Sequence, residues 1–350
     1  MANDPIYDPA FLAYKFNFET ENVEFLPIDR RAIREAASLN RDSLGGTRQT
    51  IAVPLAEFVS LLDNADNTLR KESLRFIYHT AFCASTFLSR ALEVEGVSVS
   101  LREPQLLLDA ANAKRLQWRS RTTKLDFRHL PKLALLLLQK HADSNETLII
   151  KPMNCVNNIV TELQQISGSA RSLLLYSDAR NFILSTLKKG EGGKQTVRSM
   201  FDLLRCDFPH LAGLQLTHAL QMTDLRVAMT LWRLHIEQAE ALLQQFAPHN
   251  SMASLYGENL VADPAPALRA SFRFLDLGAS EEQIDAAARS DARSIDAKNP
   301  EKSFSLQKRA QAYQMLEKYF GGDIDDGLQW LVRNNPGTAL MPKLGGTLPL

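Results

Sequence analysis

Three short runs constrain the fold more than anything else in this chain. Leu74–His79, Thr147–Lys151 and Ser172–Tyr176 are almost wholly apolar, and each is followed by a segment with helical spacing. A strand with no polar face must be covered on both sides, and such strands separated by helices specify a parallel sheet between two helical layers. Right-handed crossovers are then the default. The first run passes through small residues directly into a helix, reading HTAFCASTFLSRAL over 79–92, with Leu88, Ala91 and Leu92 at helical spacing. A helix that leaves a buried strand this way points backbone N–H groups and partial positive charge at the turn, which suits an oxyanion.

Compared with the phosphate-loop pattern G-x-x-x-x-G-K-[ST], the turn places His79 and Ala84 at the glycines, Ser85 at the lysine and Thr86 at the hydroxyl. Only the small residue and the hydroxyls survive. Two readings stay open: an anion-binding turn, or a plain strand-to-helix turn capped by Ser85.

Residues 97–101 alternate Val, Ser, Val, Ser, Leu and read as a further strand; 253–260 is a candidate last one. Helices are expected over 104–115, 129–141, 157–166, 181–189, 195–204 and 217–245, then Pro264–Phe274, Glu281–Arg289, 306–320 and 324–333. Before residue 73 the elements are shorter: an extended segment at 23–28, helices at 30–39 and 54–62, and a polar loop at 40–49. The expected organisation is a small N-terminal extension over 1–72, one α/β domain over 73–333 with a helix-rich C-terminal half, and a loose Gly/Pro tail over 334–350.

At 350 residues, 45% hydrophobic and 23% charged, the chain has ordinary globular composition. Forty basic and forty acidic residues cancel, so no polyanion-binding surface and no nucleic-acid role are expected. Cys83, Cys155 and Cys206 are scattered without metal-ligand spacing, which suits a reducing compartment. Residues 1–9 lack a basic start and apolar run, and the longest aliphatic run, 133–138, is too short to span a bilayer. A cytoplasmic location without membrane partners is the expectation.

Four segments in order resemble the sulfotransferase-like P-loop family, especially its bacterial members of unassigned acceptor. Residues 79–92 look like that family's 5′-phosphosulfate loop. SLREP over 100–104 and IIKPMN over 149–154 follow the next strands, and YSDARNFILS over 176–185 looks like the 3′-phosphate segment. A later stretch, 263–277, is similar to the helix that follows the family's fifth strand. The resemblance implies an α/β three-layer P-loop sandwich and a donor, 3′-phosphoadenosine 5′-phosphosulfate, whose sulfuryl group passes to a small-molecule or peptide hydroxyl or amine. No metal is implied. Two departures stand out: the family's loop cation falls at Phe82 and its 3′-phosphate arginine at Ser177.

On this resemblance Ala84, Ser85 and Thr86 would hold the 5′-phosphosulfate, and Arg180 and Ser185 the 3′-phosphate. Lys298, in a late polar loop, would close over the donor. Lys151 is the candidate for the missing cation, with Arg102 on the same edge. Glu103 is the preferred base and His79 the competing base or donor. Each has a plain structural alternative: a helix cap, a solvated strand end, an ion pair with Arg102 or Arg90, a packed histidine. Residues 188–196 (KKGEGGKQT) read as a mobile linker or an acceptor-side lid, and Cys83 as a buried structural thiol. A catalytically silent relative serving as a binding or scaffold protein is the competing class, motivated by Phe82 and Ser177. A small-molecule kinase is disfavoured by the absent Walker lysine and Mg²⁺ carboxylate. Acceptor identity and oligomeric state leave no mark on the sequence.

Overall fold

The computed structural model describes residues 4–44, 49–168, 170–211, 220–289, 295–296, 299–303 and 306–350. An antiparallel sheet comes first, formed by β1 (Phe11–Asn17), β2 (Asn22–Pro27) and β3 (Ile51–Pro54) in that order. Only β2 was legible beforehand. The expected helix over 30–39 ends at Glu35, because Ala36 turns extended. The Phe16 amide donates to Asp109, at 3.0 Å, which ties β1 to the main domain. Glu21, at the β1–β2 turn, does the same from the other side. Burial raises its carboxyl, but the amides of Arg121 and Thr122 and the hydroxyls of Thr122 and Ser120 hold it down at about 2.

The main sheet contains β4 (Leu74–His79), β5 (Ser98–Arg102), β6 (Thr147–Lys151), β7 (Ser172–Tyr176) and β8 (Met252–Tyr256). Their order is β5-β6-β4-β7-β8 and every pairing is parallel. Side chains alternate between faces along each strand. Leu74, Phe76 and Tyr78 join Ile150 and Leu174 in one core, while Ile77 joins Ile149, Leu173 and Leu175 in the other. Each such aliphatic or aromatic side chain, once buried, contributes roughly 1.5–3 kcal/mol, so the sheet cannot lose either helical layer.

The helices that matter for the site are α1 (Ser85–Ala91), α2 (Gln105–Arg115), α3 (Leu130–Leu138), α4 (Val160–Ser167), α5 (Ala179–Lys188), α6 (Gly190–Leu204) and α7 (Asp224–Phe246). They continue with α8 (Gly257–Ala262), α9 (Pro264–Phe274), α10 (Glu281–Arg289) and α11 (Leu306–Asn334). Leu88 of α1 and Leu268 and Phe272 of α9 cover one face; α2 to α7 supply the larger core on the other. This is the three-layer α/β architecture expected from the apolar runs.

Four expectations need correction. The 188–196 stretch is no linker: α6 begins at Gly190 and continues the bundle directly from α5. The expected strand over 253–260 is a strand only to Tyr256, after which α8 starts. The two helices foreseen over 306–333 are one, running through Gly321 and Gly322. The tail is not loose. The Ser254 amide donates to Gly346 O and the Leu348 amide to Ser254 O, both at 2.8 Å, and Leu344 and Leu348 are buried. Backbone pairing with the edge strand β8 holds it, and such pairing needs no particular side chains.

Candidate active-site edge

In a parallel sheet ligands collect beyond the carboxyl ends of the strands, where the winding reverses. Here the chain leaves β4 towards β5 on one side and leaves β6 towards β7 on the other, so the ends of β4 and β6 flank that point. His79 closes β4 and Lys151 closes β6.

The turn after His79 adopts the conformation that glycines would favour, without having any. Ala81, Phe82 and Ala84 have φ of 67°, 51° and 63°. Left-handed backbone costs an L-residue about 1–2 kcal/mol, and strain of this kind persists only where surrounding structure dictates it. Successive amides in such turns form a concave anion seat. Ala84 also begins α1 without any side-chain cap, so Ser85 is not the cap of its own helix. Ser85 instead presents its amide and hydroxyl to the Cys83 sulfur. Burial pushes that thiol up to about 11, which fits an inert structural cysteine. Ser85 and Thr86 are themselves buried.

Gly257, the first residue of α8, fixes the turn from behind. A Cβ there would lie 2.4 Å from the Cys83 carbonyl oxygen and 2.9 Å from its carbon. Both are backbone atoms with little room to move. Gly257→Ala is therefore expected to cost about 1–3 kcal/mol by overpacking, read as a lowered urea midpoint at constant m-value. The opposite sign is expected for Ala84→Gly. Relief of left-handed strain exceeds the added freedom of the unfolded chain, leaving a gain of roughly 0.5–1 kcal/mol. A lowered melting temperature for that variant would contradict the turn geometry.

Glu103, Lys151 and His79 do come together. Lys151 Nζ lies 2.6 Å from Glu103 Oε1, and both side chains are buried, at 1% and 5% exposure. Glu103 has φ of 52° immediately before Pro104, whose ring favours an extended neighbour, so its placement is also strained. Pro152, next to Lys151, accepts from His79 Nε2 at 3.1 Å, while the Ala81 amide donates to Nδ1 at 3.1 Å. The accepting Nδ1 puts the ring proton on Nε2 and fixes the neutral tautomer. His79 thus braces the strained turn against β6.

Arg102 is not available as a site cation. Its guanidinium binds Glu93 at 2.6 Å and donates to the carbonyls of Ile33, Arg34 and Ala36, closing the end of the helix Arg30–Glu35. Phe82, which replaces the expected loop cation, stands edge-on to Phe182 with ring centroids 5.1 Å apart. The Lys189 ammonium lies over its ring at 4.4 Å. A cation therefore reaches the turn from the end of α5, and no local motif could have revealed it.

Arg180 and Ser185 do not join this cluster. Arg180 binds Glu317 at 2.7 and 2.8 Å and also Asp325; Ser185 meets the Tyr313 hydroxyl at 2.6 Å. All three partners lie on α11. Ser177 is buried, its hydroxyl lacks a hydrogen-bond partner, and its carbonyl accepts from Trp232 Nε1 at 2.9 Å. Lys298 lies outside the described residues. Among the described residues, no group of three or more His, Cys, Asp and Glu side chains could hold a metal ion. No described helix is long and apolar enough to cross a membrane.

The sheet order defines a three-layer α/β protein built on a five-stranded parallel sheet. No family model matches the chain, and no curated protein does. Among solved structures it is similar to the sulfotransferase domain from the curacin biosynthetic pathway, with a TM-score of 0.45 and 15% identity over 75% of this chain and 96% of that one. It is also similar to sulfotransferase STF9 from Mycobacterium avium, at 0.39 and 11% over 76% and 81%. Mouse sulfotransferase SULT7A1 complexed with PAP scores 0.39 at 13% identity, over 83% and 95%. The fold assignment rests on the strand order and crossovers described above.

Proposed function

We propose that the chain is a sulfotransferase-like enzyme acting on 3′-phosphoadenosine 5′-phosphosulfate and a hydroxyl or amine acceptor on a small molecule or peptide. The observation that carries this reading is the buried Lys151–Glu103 pair at 2.6 Å beside the strained turn, where the winding reverses. Only half of the expected donor seat fits without rearrangement. The turn offers left-handed backbone and an uncapped helix start, as an oxyanion requires, whereas Arg180 and Ser185 are engaged by α11.

When bound, the donor supplies the sulfuryl group and the leaving phosphate. The chain's residues then position and stabilise. Amides of Ala84 and Thr86 hold the 5′ end, and that of Ser85 joins them by giving up the Cys83 sulfur. The Lys151 ammonium turns from Glu103 towards the oxygen that gains charge as the sulfuryl departs. Glu103, released, accepts the acceptor's proton. His79 keeps the turn in place through its two backbone bonds.

Calorimetry with adenosine 3′,5′-bisphosphate tests donor recognition, and absence of heat at millimolar nucleotide removes it. Sulfate transfer from labelled donor tests catalysis; Glu103→Gln is expected to lower the rate by about 10²–10⁴ with nucleotide affinity retained. A second reading, a non-catalytic binding protein, is favoured by one observation: Phe82, at the position the sequence resemblance gives the family's loop cation, packs edge-on against Phe182. Nucleotide binding without transfer to any acceptor would select it.

A further inference from the structure

We infer that a cavity between the end of α2, the turn Asn154–Ile159, α4 and α7 binds a neutral polyol, whose hydroxyls donate to amide oxygens left without partners. The cavity has a volume of about 440 Å³. At roughly 30 Å³ per water this is the space of about fifteen waters, enough for a six-carbon polyol. The site is separate from the candidate active-site edge. Lys114 and Arg115 line it at one end of α2, whereas Glu103 precedes the other end, about 15 Å away at 1.5 Å per residue. It therefore stands whether or not the donor reading does.

Asn157 is 4% exposed, and its Oδ1 accepts no hydrogen bond. Its Nδ2 donates to the His79 carbonyl at 3.2 Å, which fixes the end of the amide that carries the oxygen. Asn158 repeats the pattern. Its Nδ2 donates to Ala111 O at 3.2 Å and to Asp207 Oδ1 at 3.3 Å, and its Oδ1 has no partner. Gln238 Oε1, from α7, is a third such oxygen, and all three residues line the cavity. A buried acceptor without a donor is costly, and three beside one cavity mark a place where the donors come from outside the chain.

The charges around the cavity cancel in place. Arg115 binds Asp207 through two contacts, at 3.0 and 2.6 Å, and Lys114 binds Glu162. A cationic ligand would sit beside the Lys114 ammonium and the Arg115 guanidinium, and an anionic one would face bare oxygens. A neutral hydroxyl meets neither penalty. Hydroxyls also accept, and the exposed Gln117 and Gln245 bring amide N–H groups to the same cavity. Gln245 takes the Thr161 hydroxyl at 3.3 Å, joining α7 to α4. The net worth of such an exposed bond is small, so a ligand hydroxyl can replace it and reach the oxygens behind.

Cys206 lines the same cavity and is exposed, whereas Cys83 and Cys155 are buried, their thiols pushed up by burial to about 11 and about 12. Alkylation by iodoacetamide therefore reads the cavity at one sulfur. The experiment follows that rate while D-glucose or myo-inositol is titrated into the full chain. At about ten times Kd the polyol is expected to slow alkylation about tenfold, with saturation. Gln238→Leu is expected to raise the Kd about tenfold. Its melting temperature should hold or rise, because an apolar group replaces an unpaired acceptor. Absence of saturable protection by either polyol overturns the inference. Undiminished protection in Gln238→Leu overturns the placement of the ligand, and protection by methylammonium but by neither polyol overturns its neutral class.

Discussion

Lys151→Met is expected to destabilise the fold by about 3–5 kcal/mol. The ammonium sits 2.6 Å from Glu103 with 1% of its side chain exposed, so no water shell replaces it when it is removed. What the variant measures is mainly the burden of a carboxylate left in a dry site without its counter-ion. Glu103→Gln is expected to cost a comparable amount, because it leaves the buried ammonium without its counter-ion. The Lys151→Met/Glu103→Leu pair should recover most of the loss, since replacing a whole buried ion pair by apolar groups is often neutral. A double-mutant cycle in urea then yields a coupling energy of several kcal/mol, and additive losses would mean that the two groups do not interact across 2.6 Å.

This pair also marks where the sequence was readable. Lys151 and Glu103 end or follow strands whose bounds can be taken from apolar runs, and β4, β6 and β7 fall on the expected residues. Central strands buried on both faces carry their whole signature locally. β3 does not: it is an edge strand, mostly exposed, and pairs with β2 from 26 or more residues away in sequence. The turn was harder still. Propensity demands glycine for positive φ, yet Ala81, Phe82 and Ala84 adopt it because His79, Gly257 and the sheet leave the chain no other path. The fate of Arg180 could not be read locally at all, because its partner Glu317 is 137 residues distant. Composition misled at the C-terminus, where glycine and proline suggested a loose tail and backbone bonds to Ser254 hold it.

Below pH 6.5 the protein should lose stability faster than its surface carboxylates can explain. His141 and His235 are buried, and burial pushes both rings down to about 3; Lys140 and Arg30 add repulsion at His141. Neither ring has a full set of partners: His141 Nε2 and His235 Nδ1 have none, while His235 Nε2 lies 3.1 Å from Asn154 Nδ2. The sign follows from proton counts. Between about pH 6.5 and 3 the unfolded chain binds a proton at each histidine and the native chain does not, so stability falls as pH falls. Each ring contributes a slope of about 1.4 kcal/mol per pH unit, so the two remove roughly 5 kcal/mol between pH 6.5 and 4.5. That is comparable with the entire stability of many domains, about 5–15 kcal/mol. Glu21 and Asp126, both held down near 2, lose their contribution only at lower pH and cannot account for a transition in this window. Urea midpoints collected from pH 7 to 4.5 should therefore fall steeply, and His235→Gln should remove about half of the slope. A flat profile down to pH 5 would show that water reaches both rings, and with it that the helical layer of α7 is looser over the active edge than its packing against Phe182 implies.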